Sequence, residues 1–474
     1  MATVTWYSNP TSANAMNWSD SNQWNQAADG SGTAGNPDTS DDHAIIQNGD
    51  TVTLTGAAET GSVMVDDTGT IVGGGNTLTL NGSSDDNAFR WDGTISAASD
   101  LNISIEGGAN KFIKDNAGTN NINNLTINNS GNTTKLDTAL TLDGTLTVTA
   151  GTLTTYNGSS YRDLTVLGDC TVAGGTLEGN ASSGATVRLK SLTVSSGTYS
   201  ATGGETIITG ETGAGRAVDI VGTFTHNSGT LAIQTAADTV LRWPSSSSAY
   251  HLRINNASCI ARPTGDNKPL IAGNLTISAG EFNTLEGGQN HALTVTGKAY
   301  IGPNDGTSDT ATLTCNASDI SIGSGYTADY SLMVVGGGTF VGGSGTHTLG
   351  SIYQANAAGA KITLSSGTTN INAEYGSASK AINILGSNAT FAHGGGTVLM
   401  NYSGSTDIKV DGGTLALNNL TINHASAVVN LKGILTCAGN LTITAGELDT
   451  DSSSNFALTV TGGNLSVSGT LLLN

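Results

Sequence analysis

The chain has 474 residues, of which only 11% are charged, and its formal net charge is −20. An average globular domain carries roughly 25% charged residues, and a nucleic-acid-binding protein needs clustered lysines and arginines that displace counterions. The sequence contains no such cluster, which argues against a DNA or RNA partner. Spread acidity is typical of a long particle that must stay soluble. Calcium binding is the alternative role for these carboxylates.

Glycine supplies 65 residues, about twice the usual share, whereas aromatic residues make up 5%. Short apolar runs rich in Leu, Ile, Val and Thr argue against a disordered chain. The four cysteines, Cys170, Cys259, Cys315 and Cys437, lie far apart. This spacing favours small buried residues on strand faces, and it does not indicate a metal site or a dense disulfide framework.

The first residues, from Met1 to Trp6, contain neither a basic segment nor an apolar core. We therefore expect no secretory signal peptide. No run approaches the roughly 18 apolar residues that a membrane span requires. The sequence thus predicts folding in a cytoplasm, with no membrane insertion.

Residues 1–58 differ from the rest because they contain three of the five tryptophans, Trp6, Trp18 and Trp24. A stack of strands exposes an unpaired edge at its first layer, and a segment of different composition is needed to cover it. We therefore predict an N-terminal capping or attachment segment over 1–58. A tryptophan platform that stacks on carbohydrate is the alternative interpretation.

One phrase is repeated three times along the chain. Its core reads Gly-x-Leu-Thr-(Val/Ile)-(Thr/Ser)-Ala-Gly, at 144–151, 273–280 and 439–446. A shorter Leu-Thr-Ile, Leu-Arg-Ile or Leu-Thr-Val phrase precedes and follows each copy, at intervals of about twenty residues. Apolar residues alternate with hydroxyl or amide residues in these phrases, which is typical of strands with one buried face.

Short strands at a fixed period, without crossover helices, predict an all-β parallel β-helix, or β-solenoid. We expect a right-handed solenoid of roughly twenty short coils in two stretches, 59–240 and 271–474. Asparagines such as Asn124 and Asn274 lie in Asn-Leu-Thr sequons, and we interpret them as ladder positions, not as glycan sites. An array of β-sandwiches is the competing architecture.

Residues 241–270 interrupt the period, with Arg242-Trp243-Pro244 and a second proline at Pro263. Proline cannot donate to a strand ladder and is confined to edges and bulges. We predict an irregular loop or a junction between two solenoid stretches. Arg242, Trp243 and Tyr250 form a possible surface contact there, and a buried packing role is the alternative.

The sequence offers no recognisable catalytic site. Glycosidases need two carboxylates set about 5–9 Å apart across a cleft, whereas adjacent carboxylates such as Asp41-Asp42 and Asp66-Asp67 point to opposite faces of a strand. We find no nucleophile elbow, zinc-protease motif or phosphate loop. We therefore expect no enzyme activity, no cofactor and no metal site.

The opening segment, including Asp41–Ile46 and Thr51–Leu54, resembles the first coils of β-helical adhesins and autotransporter passengers. The Leu-Thr-Val and Gly-Thr-Leu phrases are similar to those of β-solenoid fibre and tailspike proteins of bacteriophages, especially marine ones. This resemblance covers nearly the whole chain. It implies a virion structural protein, a homotrimer, and partners among other virion proteins reached through the N-terminal segment.

The predicted function is that of a rod-like fibre or appendage, on a phage tail or head, which gives reach and adheres to a host-surface polysaccharide or protein. Such a protein is made in the host cytoplasm and needs no leader. A surface adhesin or surface-layer protein, located at the cell surface, is the alternative. A polysaccharide-degrading tailspike is the third possibility.

Overall fold

A computed structural model describes residues 4–10, 15–83, 86–96, 100–116, 120–182, 184–244, 246–264, 270–303, 309–386, 388–451 and 453–474. The described residues contain no helix and form a parallel β-solenoid of about 18 turns, where the sequence predicts roughly twenty. The chain divides into two compact units, unit 1 (Met1–Thr230) and unit 2 (Leu231–Asn474).

The strands of unit 1 are β1 (Val4–Ser8), β2 (Ala15–Asn17), β3 (Trp24–Asn25), β4 (Ala34–Gly35), β5 (Asp42–Ile46), β6 (Thr51–Thr53), β7 (Ala58–Thr60), β8 (Ser62–Val65), β9 (Thr70–Val72), β10 (Thr77–Leu80), β11 (Asp86–Trp91), β12 (Thr94–Ile95), β13 (Asn102–Ile105), β14 (Lys111–Asp115), β15 (Leu125–Leu136), β16 (Leu140–Leu142), β17 (Leu146–Thr154), β18 (Leu164–Val172), β19 (Thr176–Glu178), β20 (Thr186–Val194), β21 (Thr198–Ser200), β22 (Glu205–Ile208), β23 (Arg216–Ile220) and β24 (Thr223–Thr225).

The strands that follow are β25 (Thr230–Ile233), β26 (Asp238–Arg242), β27 (His251–Pro263), β28 (Leu270–Ile271), β29 (Leu275–Asn283), β30 (Leu285–Glu286), β31 (Gln289–Asn290), β32 (Leu293–Val295), β33 (Ala299–Ile301), β34 (Ala311–Thr314), β35 (Ile320–Ile322), β36 (Leu332–Val334), β37 (Gly338–Val341), β38 (His347–Leu349), β39 (Ile352–Gln354), β40 (Lys361–Thr363), β41 (Thr368–Ile371), β42 (Lys380–Leu385), β43 (Thr390–Ala392), β44 (Thr397–Met400), β45 (Ser405–Leu417), β46 (Asn419–Cys437), β47 (Leu441–Asp449), β48 (Leu458–Val460), β49 (Leu465–Val467) and β50 (Thr470–Leu472).

The strands of unit 1 stack in register as three parallel faces. One face runs β1-β5-β8-β11-β14 and continues through the second halves of β15 and β17 to β24. A second face runs β7-β10-β13 and continues through β15, β17, β18 and β20 to β23. The third begins as β2-β6-β9-β12. Each turn therefore returns the chain one layer along, as the repeated phrase predicts.

Unit 2 has the same three-faced arrangement. Its first face contains β28, β32, β35, β38, β41 and β44, its second contains β33, β36, β39 and β42, and its third contains β34, β37, β40 and β43. The longer strands β27, β29, β45, β46 and β47 contribute to more than one face because they bend at the corners. The predicted solenoid is confirmed in each unit, and the sandwich alternative is wrong.

Inward-pointing side chains form columns that run from layer to layer through the interior. In unit 1 one column consists of Leu78, Ile103, Leu125, Leu146, Cys170, Leu192 and Val218, each at most 1% exposed. A column in unit 2 consists of Leu252, Leu275, Ala299, Leu332, Ile352 and Ile382, each 0% exposed. Burying one large aliphatic side chain stabilises the fold by roughly 1.5–3 kcal/mol, so the columns supply most of the apolar burial.

The predicted asparagine ladder is present at the corner before the repeated Leu-Thr phrase. The Oδ1 atoms of Asn124, Asn274 and Asn440 accept backbone N–H groups one layer on, from Thr145, Lys298 and Asn464, at 2.7, 3.0 and 2.9 Å. Each side chain therefore satisfies a corner amide that would otherwise lack an acceptor in the ladder. This packing gives the sequon asparagines a structural role.

The glycine of the repeated Ala-Gly pair makes the corner inside each nine-residue strand. Gly151, Gly280 and Gly446 have φ angles of +76°, +87° and +86°. A side chain is strained at such angles. A Cβ there would also lie 2.2–2.5 Å from an atom of the preceding layer, a side-chain oxygen at Gly151 and a backbone oxygen at Gly280 and Gly446. Both constraints explain why each copy of the phrase has a glycine at this point.

Antiparallel strands cover the first layer of unit 1. β3 pairs with β1, and β4 pairs with β3, both antiparallel, whereas β1 pairs with β5 in parallel. Trp24 is 0% exposed, its Nε1–H donates to the Trp18 carbonyl at 2.8 Å, and the two rings meet edge to face at 5.1 Å. Trp6 is 9% exposed and lies against Gly35, where a Cβ would be 2.2 Å from its ring. The tryptophans thus pack inside the segment that occludes the edge of β1.

Much of the segment predicted as an irregular junction, 241–270, belongs to the ladder. β27 pairs with β26 and β29, and Leu252 and Ile254 point into the interior. A register shift between Asn255 and Ile260 accommodates the interruption of the period. Pro263 is the last residue of β27, in register with Leu241, and the following Thr264 N–H donates to the Leu241 carbonyl at 3.1 Å. Residues 245 and 265–269 lie outside the described part of this segment.

All four cysteines are free and buried. Burial raises the pKa of the Cys170 thiol to about 12 and that of Cys437 to about 11. Cys170 and Cys437 occupy inward strand positions beside leucine and valine partners. The sequence prediction of small buried residues is therefore confirmed.

The asparagine ladder predicts the effect of Asn274→Ala in unit 2. The Lys298 amide loses its acceptor, and we expect a loss of stability of about 1 kcal/mol, read as a lower urea midpoint. Asn274→Asp retains an Oδ1 acceptor and should keep most of the midpoint. Equal midpoints for wild type and Asn274→Ala would contradict the ladder role.

Buried His347 predicts a pH dependence of stability. The side chain is 0% exposed, lies in register between Ile320 and Thr369, and has its pKa lowered from 6.5 to about 4, chiefly by burial. The unfolded chain therefore binds a proton that the folded chain does not bind between these values. This histidine's contribution to stability is complete above pH 6.5 and is lost as the pH falls towards 4, by roughly 3 kcal/mol.

The measurement compares wild type with His347→Leu by urea denaturation at several pH values. Carboxyl groups titrate in both proteins, so only the difference between the two curves of stability against pH reports the ionisation of His347. We expect His347→Leu to gain stability relative to wild type as the pH falls from 6.5 to 4. Parallel curves would show that the folded state tolerates a charged imidazole.

Candidate functional site

The structure places the three predicted contact residues in different surroundings. Trp243, directly after β26, is 4% exposed and therefore presents almost none of its ring to solvent. Arg242 ends β26 and is half-buried, and the half-buried Tyr250 ring meets His251 edge-on at 4.5 Å. The buried alternative therefore describes Trp243, because its large ring fills interior space beside the ladder.

The N-terminal tryptophans offer no flat face for a ligand. Trp6, Trp18 and Trp24 are 9%, 4% and 0% exposed. A ring that stacks on a sugar must expose one face, and these rings pack against each other and against Gly35 instead. This packing fits a capping role, and it leaves very little exposed ring surface on which a carbohydrate could stack.

A different group of aromatic residues lies on the outside of unit 2. Tyr300 of β33 is in register with Met333 of β36, which is in register with Tyr353 of β39, and Asn383 of β42 follows in the next layer. Successive side chains of a strand point to opposite faces, and the strand neighbours of Tyr353, Ile352 and Gln354, are both 0% exposed. Tyr300 and Tyr353 therefore point outward, and both are half-buried.

Two loops add tyrosines over this column. Tyr330, just before β36, has its ring 5.1 Å from that of Tyr353 and 4.9 Å from that of Tyr375, with tilts of 34° and 48°. The Nδ2 of Asn383 donates to the Tyr330 hydroxyl at 2.8 Å. Tyr330 is thus at the centre of an aromatic group that the strands and loops build together.

The loop that carries Tyr375 is tied to its neighbours by backbone groups. Tyr375 N–H donates to the Lys380 carbonyl at 3.0 Å, and Gly376 N–H donates to the Thr327 carbonyl at 3.1 Å. The second bond joins the loop of Tyr375 to the loop before β36. The two loop tyrosines are therefore held in a fixed relation across two layers.

An acidic residue supports the edge of the group. The Tyr402 hydroxyl, in the loop after β44, donates to Oε1 of Glu374 at 3.1 Å. Glu374 is 9% exposed and directly precedes Tyr375. We call the group formed by Tyr300, Tyr330, Tyr353, Tyr375 and Tyr402 the tyrosine face; Tyr330, at its centre, is buried at 5% exposure, and the other four are half-buried.

Three tyrosines of this face have a raised pKa. Burial raises the pKa of Tyr330 to about 12, although the Asn383 bond works in the opposite direction. Burial, followed by the Glu374 carboxylate, raises the pKa of Tyr402, and burial raises that of Tyr300. Each of these hydroxyls keeps its proton and can both donate and accept a hydrogen bond.

Three buried oxygens beside the face lack a donor among the described residues. They are Oδ1 of Asn372, Oε2 of Glu374 and Oδ1 of Asn383. Buried polar side-chain atoms are normally hydrogen-bonded, and a desolvated carboxylate oxygen without donors is unfavourable. The site therefore has acceptor capacity that the described side chains leave unused.

Two ion pairs lie near the face. Lys298 Nζ lies 2.8 Å from Asp329 Oδ2, whose other oxygen accepts the Tyr330 N–H at 2.8 Å. Lys409 lies 2.8 Å from Asp411. Aspartates therefore offset the charges of Lys298 and Lys409.

Sequence reasoning missed the tyrosine face, although one signal was available. Six of the eleven tyrosines lie between Tyr300 and Tyr402, at 300, 326, 330, 353, 375 and 402. Their density marks the region. The layer register and the loops that place Tyr330 and Tyr375 over Tyr353 are not visible in the sequence.

Metal sites and membrane spans are two further features to consider within the described ranges. No group of three or more His, Cys, Asp and Glu side chains could hold a metal ion there. Nor does any helical stretch in the described part have the length and apolar character needed to cross a bilayer.

Comparison with protein-family models, with curated proteins and with solved structures found no match. The fold and the site geometry therefore carry the functional argument.

The Glu374–Tyr402 contact predicts a change in tyrosine titration. Glu374→Gln removes the negative charge that raises the pKa of Tyr402, so Tyr402 should ionise at lower pH than in wild type. Alkaline titration of phenolate absorbance measures the shift.

The matched control repeats the comparison in a Tyr402→Phe background. There the difference between glutamate and glutamine should disappear. A difference of the same size in the Tyr402→Phe background would assign the shift to another tyrosine and refute the contact.

Proposed function

We propose that this chain is a structural protein of a bacteriophage virion, a fibre or appendage of the tail or head that contacts the host surface. The observation that carries the surface-contact function is the tyrosine face, in which Tyr300 and Tyr353 point outward from a parallel ladder and loop tyrosines pack beside them. Such a ladder keeps the positions of its outer side chains without a large core. The assignment to a phage virion is supported by the resemblance of the Leu-Thr and Gly-Thr phrases to phage fibre proteins.

The segment that covers β1 supports an attachment role at the N-terminal end. Within residues 1–58, the antiparallel strands β3 and β4 and the buried tryptophans form a local structure distinct from the repeated coils, whereas β1, β2, β5 and β6 join the parallel ladder. We propose that other virion proteins bind this segment. The partner on the host is a surface polysaccharide or protein, and the proposal assigns no catalysis to the chain.

A homotrimer, which the resemblance implies, would present three tyrosine faces. Weak contacts made several times within one particle raise the overall avidity without new interactions at each site. A modest affinity at each site is therefore sufficient for adhesion.

The proposal predicts where the protein is found and what it inhibits. Antibodies raised against the purified chain should label the tail or head of gradient-purified virions in electron microscopy. The soluble chain, added in excess, should slow adsorption of those virions to host cells, because it occupies the same surface ligand.

Other results would overturn the proposal. Labelling of the envelope of uninfected cells, with none on virions, would identify a cellular adhesin or surface-layer protein. Release of reducing ends from host polysaccharide, abolished by a single Asp substitution, would identify a degrading enzyme. In the adsorption experiment, bovine serum albumin at equal concentration is the control for non-specific inhibition.

A further inference from the structure

The two strand-borne tyrosines of the tyrosine face are spaced for an extended ligand. Tyr300 and Tyr353 lie two layers apart in one outward column, with Met333 between them. Adjacent strands are about 4.8 Å apart, so these side chains are separated by roughly 10 Å along the stacking direction. A chain-like ligand that follows this direction can contact both rings, whereas a single small molecule cannot.

Aromatic rings of this kind bind flat apolar surfaces that carry polar groups at their rims. The C–H faces of pyranose rings, with hydroxyls around the edge, have this character. The phenol hydroxyls add hydrogen-bonding groups at the edge of the tyrosine face. A hydroxyl-rich glycan therefore matches both the faces and the rims of these side chains.

Two buried groups fix the direction of the tyrosine hydrogen bonds. Tyr402 donates to Glu374, which leaves the Tyr402 oxygen free to accept from a ligand. Asn383 donates to the oxygen of Tyr330, which directs the Tyr330 proton elsewhere. Glu374 and Asn383 are positioning residues in this arrangement, since they act through the tyrosines.

The unused acceptors beside the face favour a ligand rich in donors. Oε2 of Glu374 and Oδ1 of Asn383 have no donor among the described residues, and the two side chains are 9% and 5% exposed. Because both oxygens are buried, a ligand hydroxyl supplies a donor to them through a bridging water. A hydroxyl-rich chain meets this requirement, and an apolar peptide does not.

The geometry disfavours the other ligand that aromatic groups commonly bind, a quaternary ammonium ion. Such a cation sits between ring faces, but the rings of Tyr330, Tyr353 and Tyr375 are packed at 4.9 and 5.1 Å from one another. No space for a cation remains between them. The net charge of −20 also disfavours an acidic polysaccharide.

We infer that the tyrosine face of unit 2 binds a neutral, hydroxyl-rich glycan chain that runs along the stacking direction of the strands. Tyr300 and Tyr353 stack on separate sugar units, and Tyr402 hydrogen-bonds to ligand hydroxyls. This inference rests on the proposed surface-contact function and names the ligand class of that contact.

The test is affinity electrophoresis of the purified full chain through gels that contain mannan, dextran or galactan. We expect at least one of these neutral polysaccharides to retard the wild-type chain. Tyr353→Ala and Tyr300→Ala should each weaken the apparent affinity by about tenfold, the loss typical of removing one aromatic anchor. Tyr353→Phe retains the ring and should lose less than Tyr353→Ala.

Tyr156→Ala is the matched control, because Tyr156 belongs to a stacked surface pair with Tyr161 in unit 1, 5.0 Å between ring centroids, outside the tyrosine face. Its affinity should equal that of wild type. Circular dichroism and the urea midpoint of every variant separate loss of binding from loss of fold. Because Tyr300 and Tyr353 are at outward positions, we expect Tyr300→Ala and Tyr353→Ala to remain folded.

Three results would overturn the inference. These are no retardation of the wild type by any of the three polysaccharides, equal retardation of Tyr353→Ala, Tyr300→Ala and wild type, or binding of choline at the face without glycan binding. Glycan binding that depends on Tyr353, combined with no labelling of virions, would leave the inference standing and refute the virion assignment. Virion labelling without glycan binding would do the reverse.

Discussion

The parallel backbone ladder is the constraint on which the rest of this structure depends. Each layer pairs with the next in register, so one inward position places a side chain on the same interior column in every turn. The inward positions therefore hold mainly apolar residues, such as Leu125, Leu146 and Cys170, and they also accommodate the large Trp91 and the polar His347. A register shift of one residue would exchange the inward and outward side chains along the whole strand.

The corners keep this register. A three-faced coil must change direction several times per turn, and each change leaves backbone amides outside the strand ladder. Asn124, Asn274 and Asn440 accept such amides from the following layer, while Gly151 and its counterparts adopt positive φ angles where a Cβ would contact the preceding layer. The repeated phrase thus combines the residues that form the corners with the alternating pattern of a strand.

A fixed interior leaves the outer positions free to vary, and the tyrosine face uses that freedom. Tyr353 occupies an outward position of its strand and is not needed in the core, because its neighbours Ile352 and Gln354 occupy the inward positions. Loops at the corners can lengthen without disturbing the ladder, and two of them bring Tyr330 and Tyr375 over the column. Scaffold and outer surface are therefore separable in this fold, which suits the adhesive function that we propose.

The sequence by itself determined the strand pattern, the parallel solenoid, the asparagine ladder and the burial of the cysteines. These features repeat locally, so the period of two within strands and the period of about twenty between layers are readable from residue order. It could not establish the burial of Trp243, nor the long strand β27 in a segment that contains Pro244 and Pro263. Only the tertiary structure decided that Tyr300 and Tyr353 share an outward column and that Asn383 and Glu374 hold the tyrosines above it. Those contacts join residues 20 to 53 positions apart, and the layer register that aligns them depends on the length of every intervening loop.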